Sequence, residues 1–173
     1  MRFFLRPITE KDSTHIIKWR NSDKVKKHCF SKETVTVESN LKFYQENVLT
    51  GKYKQFIVER VEEELGLAAY PIASVYLKDM DRENKRCELC IFTSDDVEWG
   101  AEGQSIAIQM LLEKAFSEYG LHKVYSYVFA KYPEELTLLK KAGFKEEAVL
   151  KDEALGENGS YEDVIRVSII KDI

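Results

Sequence analysis

Apolar positions recur along the chain with two spacings, alternate residues and every third or fourth residue, and the switches between them mark its elements. Phe3-Phe4-Leu5 reads as a short strand that Pro7 ends. Thr9, with Asp12 three residues on, marks the start of a helix carrying Ile16, Ile17 and Trp19 that stops near Asn21-Ser22-Asp23. A basic connection over 24–32 follows, and Thr36 caps a second helix whose stripe is Val37, Leu41, Tyr44 and Val48, closed by Gly51. The middle of the chain is antiparallel in character. Strands over 55–61 and 70–77 flank a turn built on Glu62-Glu63-Glu64 and Gly66, and 78–85 reads as a charged hairpin loop.

The stretch from Cys87 to Tyr119 reads as strand, glycine-bearing loop and helix. Residues 87–93 are mostly β-prone, 99–104 hold two glycines, and Ile108, Leu111, Leu112, Ala115 and Phe116 repeat along one helical face. Gly120 stops that helix, and Lys123, Tyr125, Tyr127 and Phe129 alternate with Val124, Ser126 and Val128 in a further strand. Strand, crossing helix and strand in this order imply a parallel pair. Pro133 opens a last helix with stripe Leu136, Leu139 and Ala142, stopped by Gly143. Strands over 144–150 and 161–170 flank Gly156-Glu157-Asn158-Gly159, a hairpin signal. The expectation is one α+β domain over 1–173, with a mixed, mostly antiparallel sheet of about seven strands and about four helices.

Composition narrows the class. A hydrophobic content of 44% with 32% charged residues is that of an ordinary globular chain. No apolar run approaches the ~20 residues that span a bilayer, and the apolar part of the N-terminus is too short for a signal peptide, so a cytoplasmic location without membrane association is expected. A net charge of −4 with both signs interspersed offers no basic field for nucleic acid. Cys29, Cys87 and Cys90 are an odd count, against a disulfide framework. Cys87 and Cys90, three apart on an extended strand, are about 10 Å apart and point to opposite faces, so they read as small buried hydrophobes and no metal is expected.

The start of the helix after the glycine-bearing loop is the candidate ligand site. Its first backbone N–H groups have no intrahelical partner, the helix dipole is positive there, and glycines allow close approach, which together suit a pyrophosphate. A dinucleotide fold needs Gly-x-Gly-x-x-Gly after the first strand of a repeated parallel unit, and the chain has no such fingerprint.

The runs Trp99-Gly100 through Gly103-Gln104-Ser105, Leu111 through Val124, and Leu139-Lys140-Lys141-Ala142-Gly143-Phe144-Lys145-Glu146-Glu147 resemble the GNAT superfamily of acyl-coenzyme A dependent N-acetyltransferases. Trp19-Arg20-Asn21 and Glu88-Leu89 resemble its branch of ribosomal-protein N-terminal and amino-sugar-nucleotide acetyltransferases. The resemblance covers nearly the whole chain in order. It implies a GNAT-like sheet whose central parallel pair splays, with the pantetheine arm of acetyl-coenzyme A pairing with the exposed edge of 87–93. It places the coenzyme on Phe92, Thr93, Gly100, Glu102, Gly103, Gln104 and Ser105, with the backbone N–H near Phe92 as oxyanion donor.

The chain departs from the family pattern at two places. An ungapped match of Gln/Arg-x-x-Gly-x-Gly/Ala puts Glu102 and Gln104 where small residues belong; shifting by one gives Gly100-x-x-Gly103-x-Ser105, with Ser105 capping the helix. The family's tyrosine, which protonates the departing thiolate, is matched by Leu139, and the asparagine earlier in that helix by Tyr132. By resemblance Glu88 is the candidate base, acting through water, and Tyr132 the substitute acid. Trp19, Arg20, Asn21 and His28 fall in the first helix and the connection after it, one wall of the family's acceptor cleft. The implied reaction is acetyl transfer to a primary amine of a small molecule, an amino-sugar nucleotide fitting the basic stretch 24–32. A protein N-terminus is the second acceptor to consider, a non-catalytic acyl-coenzyme A binding module the third reading, and a homodimer is compatible with all of them.

Overall fold

The computed structural model describes residues 2–62, 68–94 and 100–172. The chain runs β1 (Arg2–Pro7), a short turn of helix (Glu10–Asp12), α1 (Ser13–Asn21), a single-turn α2 (Asp23–Lys26), α3 (Val37–Phe43) extended by a wider turn (Tyr44–Val48), β2 (Lys54–Glu62), β3 (Ala68–Asp81) and β4 (Arg86–Thr93). It continues with α4 (Gly100–Glu113), again ending in a wider turn (Lys114–Glu118), β5 (Lys123–Phe129), α5 (Pro133–Lys141), β6 (Lys145–Leu155) and β7 (Tyr161–Ile170). One seven-stranded sheet, in the order β1-β2-β3-β4-β5-β7-β6, carries the helices on both faces. All pairings are antiparallel except β4 with β5. The α+β reading and the central parallel pair are therefore present.

Each face of the sheet has its own core. On one face Leu77, Cys87, Leu89, Val124 and Val167 pack under Ile108, Leu111 and Leu112 of α4, Ala115 of the turn that ends it, Leu139 of α5 and Ala142 just after it. The other face carries a smaller cluster, Ile57 and Phe92 against Ile16 and Trp19 of α1 and Val25 of α2. β4 contributes to both cores, Cys87 and Leu89 to one and Phe92 to the other, each Å² of apolar surface buried being worth about 25 cal/mol.

Local chemistry explains most boundaries and several differences from the expectation. Thr36 caps α3 through its hydroxyl, 3.1 Å from the Ser39 N–H. Asp12 receives the Thr9 N–H at 2.8 Å and both terminal nitrogens of Arg6 at 2.9 and 2.8 Å, fixing the approach to α1. Val37, expected in the α3 stripe, is 71% exposed, and Asn40 is the residue buried there. The charged segment expected as a loop over 78–85 is instead strand through Asp81, because Lys78 lies opposite Glu88 and continues the ladder. Ser105 does not cap a helix, since α4 begins at Gly100 and Ser105 lies in its second turn. The turn at 63–67 and Trp99 lie outside the described residues.

Candidate active site

Backbone pairing between β4 and β5 covers only Arg86, Cys87 and Glu88 opposite Lys123, Val124 and Tyr125. Beyond Glu88 the two strands diverge although both continue, to Thr93 and to Phe129. At the first step of the divergence the Ser126 hydroxyl donates to the Leu89 carbonyl at 2.8 Å, a side chain standing in for the lost ladder bond. A central strand thus has a free edge over 90–93, the geometry that accepts an extended ligand arm by strand addition.

Glu88 sits at the apex of this fork. Register places Lys78, Glu88, Tyr125 and Ser168 in one row across β3, β4, β5 and β7, on the α1 face of the sheet. Glu88 is 7% exposed. Its Oε2 lies 3.4 Å from Lys78 Nζ, and its Oε1 accepts from the Cys90 thiol at 3.3 Å. Burial pushes the Glu88 carboxyl above its ordinary range, and the Lys78 ammonium pulls the other way. Burial likewise keeps the Cys90 thiol and the Tyr76 phenol far above theirs. Tyr125 is held protonated by burial and by the Glu88 charge. The result is one buried, partly neutralised carboxylate among groups that keep their protons, a suitable base near neutral pH.

Aromatic rings wall the gap on both sides. On the β4 side Phe92 meets Tyr76 edge-on at 6.1 Å, and Tyr76 stacks on Tyr53 at 5.8 Å. On the β5 side Tyr125 and Tyr127 lie 5.8 Å apart, and Phe30 packs on Tyr127 and Phe129 at 6.1 and 5.4 Å. Tyr125 and Tyr127 both face the cleft, since residues two apart on a strand share a face. Arg166 from β7 lies 4.0 Å over the Tyr125 ring, donates to the Tyr127 hydroxyl at 2.6 Å and pairs with Glu147 at 2.7 Å. Sequence reasoning missed Arg166 and Lys78, and the period-2 register of β3, β4, β5 and β7 is the signal that brings them in.

The expected acceptor residues divide. Trp19 is 1% exposed, edge-on to Phe92 at 6.4 Å, and Arg20 lies 5.6 Å over the same ring. Asn21 has both ends of its amide bound to the Val35 backbone at 2.8 Å, so it ties down the connection. His28 lies 3.1 Å from Glu135 through Nδ1 and packs on Tyr132 at 4.3 Å. Tyr132 stands at the entry to α5 beside His28 and Phe129, away from the Glu88 row. Leu139 is buried in the α4 core. The basic connection is largely self-satisfied: Lys32 Nζ donates to three of its carbonyls, at 2.6 to 3.3 Å.

For the coenzyme, Gly100 opens α4 with φ +47 and open space around it, a conformation suited to glycine. Gly103 is buried in the first turn and Glu102 is exposed beside it, where a carboxylate suits the dipole while leaving the N–H groups unblocked. Gln104 and Ser105 follow, half-buried. Phe92 and Thr93 end the free edge that leads toward this helix start. The residues present fit an extended phosphorylated arm. The described residues hold no group of three metal-ligating side chains, and none of their helices is long and apolar enough to cross a membrane.

Comparison with known proteins agrees with this geometry. The chain is 23% identical to spermidine N(1)-acetyltransferase of Vibrio cholerae over 96% of its length and 92% of the relative's. It is equally identical to the Escherichia coli K12 enzyme of that name, over 96% and 85%. The crystal structure of the Vibrio cholerae spermidine N-acetyltransferase with coenzyme A and spermine superposes with a TM-score of 0.87 at 24% identity, covering 97% of this chain and 95% of that one. These relatives are spermidine enzymes, rather than the ribosomal-protein or amino-sugar-nucleotide branch that Trp19-Arg20-Asn21 suggested. Residues 2–145 match the family model described as the acetyltransferase (GNAT) domain, and the chain belongs to that family of acetyl-coenzyme A dependent N-acetyltransferases.

Proposed function

We propose that the acceptor is a primary amine of a small molecule, which enters on the α1 face of the sheet and meets the acetyl group at the β4/β5 fork, with Glu88 taking the amine proton through water. The observation that carries this reading is the buried Glu88 carboxylate at the apex of the gap, on the face opposite α4. An ammonium must lose a proton before it can attack, and a carboxylate whose affinity for protons is raised by burial is matched to that task. Acetyl-coenzyme A supplies the activated thioester. Phe92, Thr93 and the first turn of α4 from Gly100 would hold it. Aromatic rings line both sides of the gap in which the nucleophile would sit. Leu139 replaces the tyrosine that would protonate the thiolate, but a thiol of pKa about 8.5 makes a tolerable leaving group, and Tyr125, beside Glu88, keeps a proton to give.

The relatives' names support a small, flexible amine. Calorimetric titration with acetyl-coenzyme A, followed by an amine panel including spermidine and monitored by thiol release, tests the reading. Micromolar coenzyme binding with turnover on at least one small amine is expected. Binding without turnover on any amine would make the chain a coenzyme-binding module.

A further inference from the structure

The acceptor wall holds two hydrogen-bond donors with nothing to give to. The Arg20 guanidinium, half-buried at the end of α1, lies 5.6 Å over Phe92, and none of its hydrogen bonds or ion pairs is formed among the described residues. The indole Nε1 of Trp19, on the same ring and in a side chain almost wholly buried, is also without a partner. Neighbouring cations are committed: Lys32 to carbonyls, Lys26 to the Thr34 hydroxyl, Lys78 to Glu88, Arg166 to Glu147 and Tyr127. A buried donor left unmade is costly, and an unpaired guanidinium repels a polycation while its planar fork matches an acid group.

We infer that the acceptor amine carries an acid group, a carboxylate or a phosphate, which Arg20 receives over Phe92, the ring on which the buried Trp19 indole also packs. The inference rests on the proposed small-amine reading and separates this chain from the acceptor named for its relatives. Phe92 lies four residues from Glu88 on the same face, about 13 Å of strand. That step suits an acid several bonds away from the amine.

The test compares kcat/KM for matched pairs with acetyl-coenzyme A: 6-aminohexanoate against hexylamine, glucosamine 6-phosphate against glucosamine, with spermidine alongside. At least one acid-bearing amine should exceed both its parent and spermidine about tenfold, the size of one charge-assisted hydrogen bond. The pair with the larger ratio distinguishes carboxylate from phosphate. Arg20→Gln should collapse that ratio toward one with the acetyl-coenzyme A Kd retained, and Arg20→Lys should restore part of it. Preference for spermidine or the parent amines overturns the inference while leaving the small-amine reading intact. A ratio that survives Arg20→Gln, or a coenzyme Kd that rises with it, removes Arg20 from acceptor recognition. Transfer to none of the five amines, with coenzyme binding intact, counts against the small-amine reading itself and overturns the inference with it.

Discussion

Replacing Glu88 by Gln keeps the shape of the side chain and removes only its ability to take a proton. General-base contributions run from roughly 10²- to 10⁴-fold, which is about 2.7 to 5.5 kcal/mol in the barrier. The structural cost can be set against this. Lys78 Nζ sits 3.4 Å from the carboxylate, a Coulomb term of about 1 kcal/mol at the dielectric constant of water and about 5 kcal/mol at an effective value near 20. Because the Lys78 side chain is 26% exposed and can hydrate, and because the glutamine carbonyl still accepts from the ammonium, the loss falls near the lower figure. That is small beside a typical stability of ~5–15 kcal/mol and lowers Tm by about 2–4 °C per kcal/mol. The variant should therefore be folded, bind acetyl-coenzyme A with native Kd by calorimetry, and turn over at least about a hundredfold more slowly at pH 7. The acidic limb of the native kcat/KM profile, which reports the ionisation of Glu88, should vanish. Turnover within threefold of native, or an acidic limb that persists unchanged, would refute the assignment and leave water to take the amine proton unaided.

Three further outcomes follow from the same geometry. Lys78→Met removes the group that opposes the effect of burial on Glu88, so the acidic limb should move to higher pH, with activity recovering in alkaline buffer; a limb that moves down or stays put contradicts the pairing. Gly103→Val places a branched side chain in the buried first turn of α4 and should raise the acetyl-coenzyme A Kd about tenfold or more, ~1.4 kcal/mol, while an unaltered Kd would move the pyrophosphate site elsewhere. Asp12 works against burial to stay ionised, held by the Arg6 guanidinium and the Thr9 N–H below the usual carboxylate range. A lowered folded-state pKa gives stability that is complete above the ordinary carboxylate range and lost as pH falls through the folded value. Asp12→Ala, which leaves Arg6 with one acidic partner, Glu59, should cost about 3 kcal/mol in denaturant unfolding at pH 7 and flatten that acid dependence.

Most elements were legible because each is written twice, in its period and in its punctuation. Pro133 at a first turn, Gly120 and Gly143 after last turns, and alternation through 123–129 leave little freedom. Elements were less legible where charge masqueraded as loop. Lys78, Asp79 and Asp81 read as solvent-facing, so β3 seemed to end early, and the ion pair that defines the candidate base was hidden with it. Arg166 was unreadable for a related reason: its partners Tyr127 and Glu147 come from two other strands, and only the sheet order β5-β7-β6 brings them together. Asn21 illustrates the reverse error. A polar residue beside a candidate wall suggests recognition, yet its amide does internal joinery with Val35.

The Ser126–Leu89 bond fixes where the sheet comes unzipped, and this gives the protein a seam in its middle. Strand edges usually lie at the rim, where charge or a bulge can guard them. Here the edge belongs to a central strand, Ile91 and Phe92 sit on it, and on the proposed reading the occupant that covers it is a diffusing small molecule. Coenzyme then acts as a removable edge guard as well as a reactant. At a hundredfold excess over Kd it adds about 2.7 kcal/mol to the folded state and closes the template on which a second chain could pair. Preparations stripped of coenzyme should aggregate at lower temperature than loaded ones by light scattering, even where the two share one far-ultraviolet spectrum.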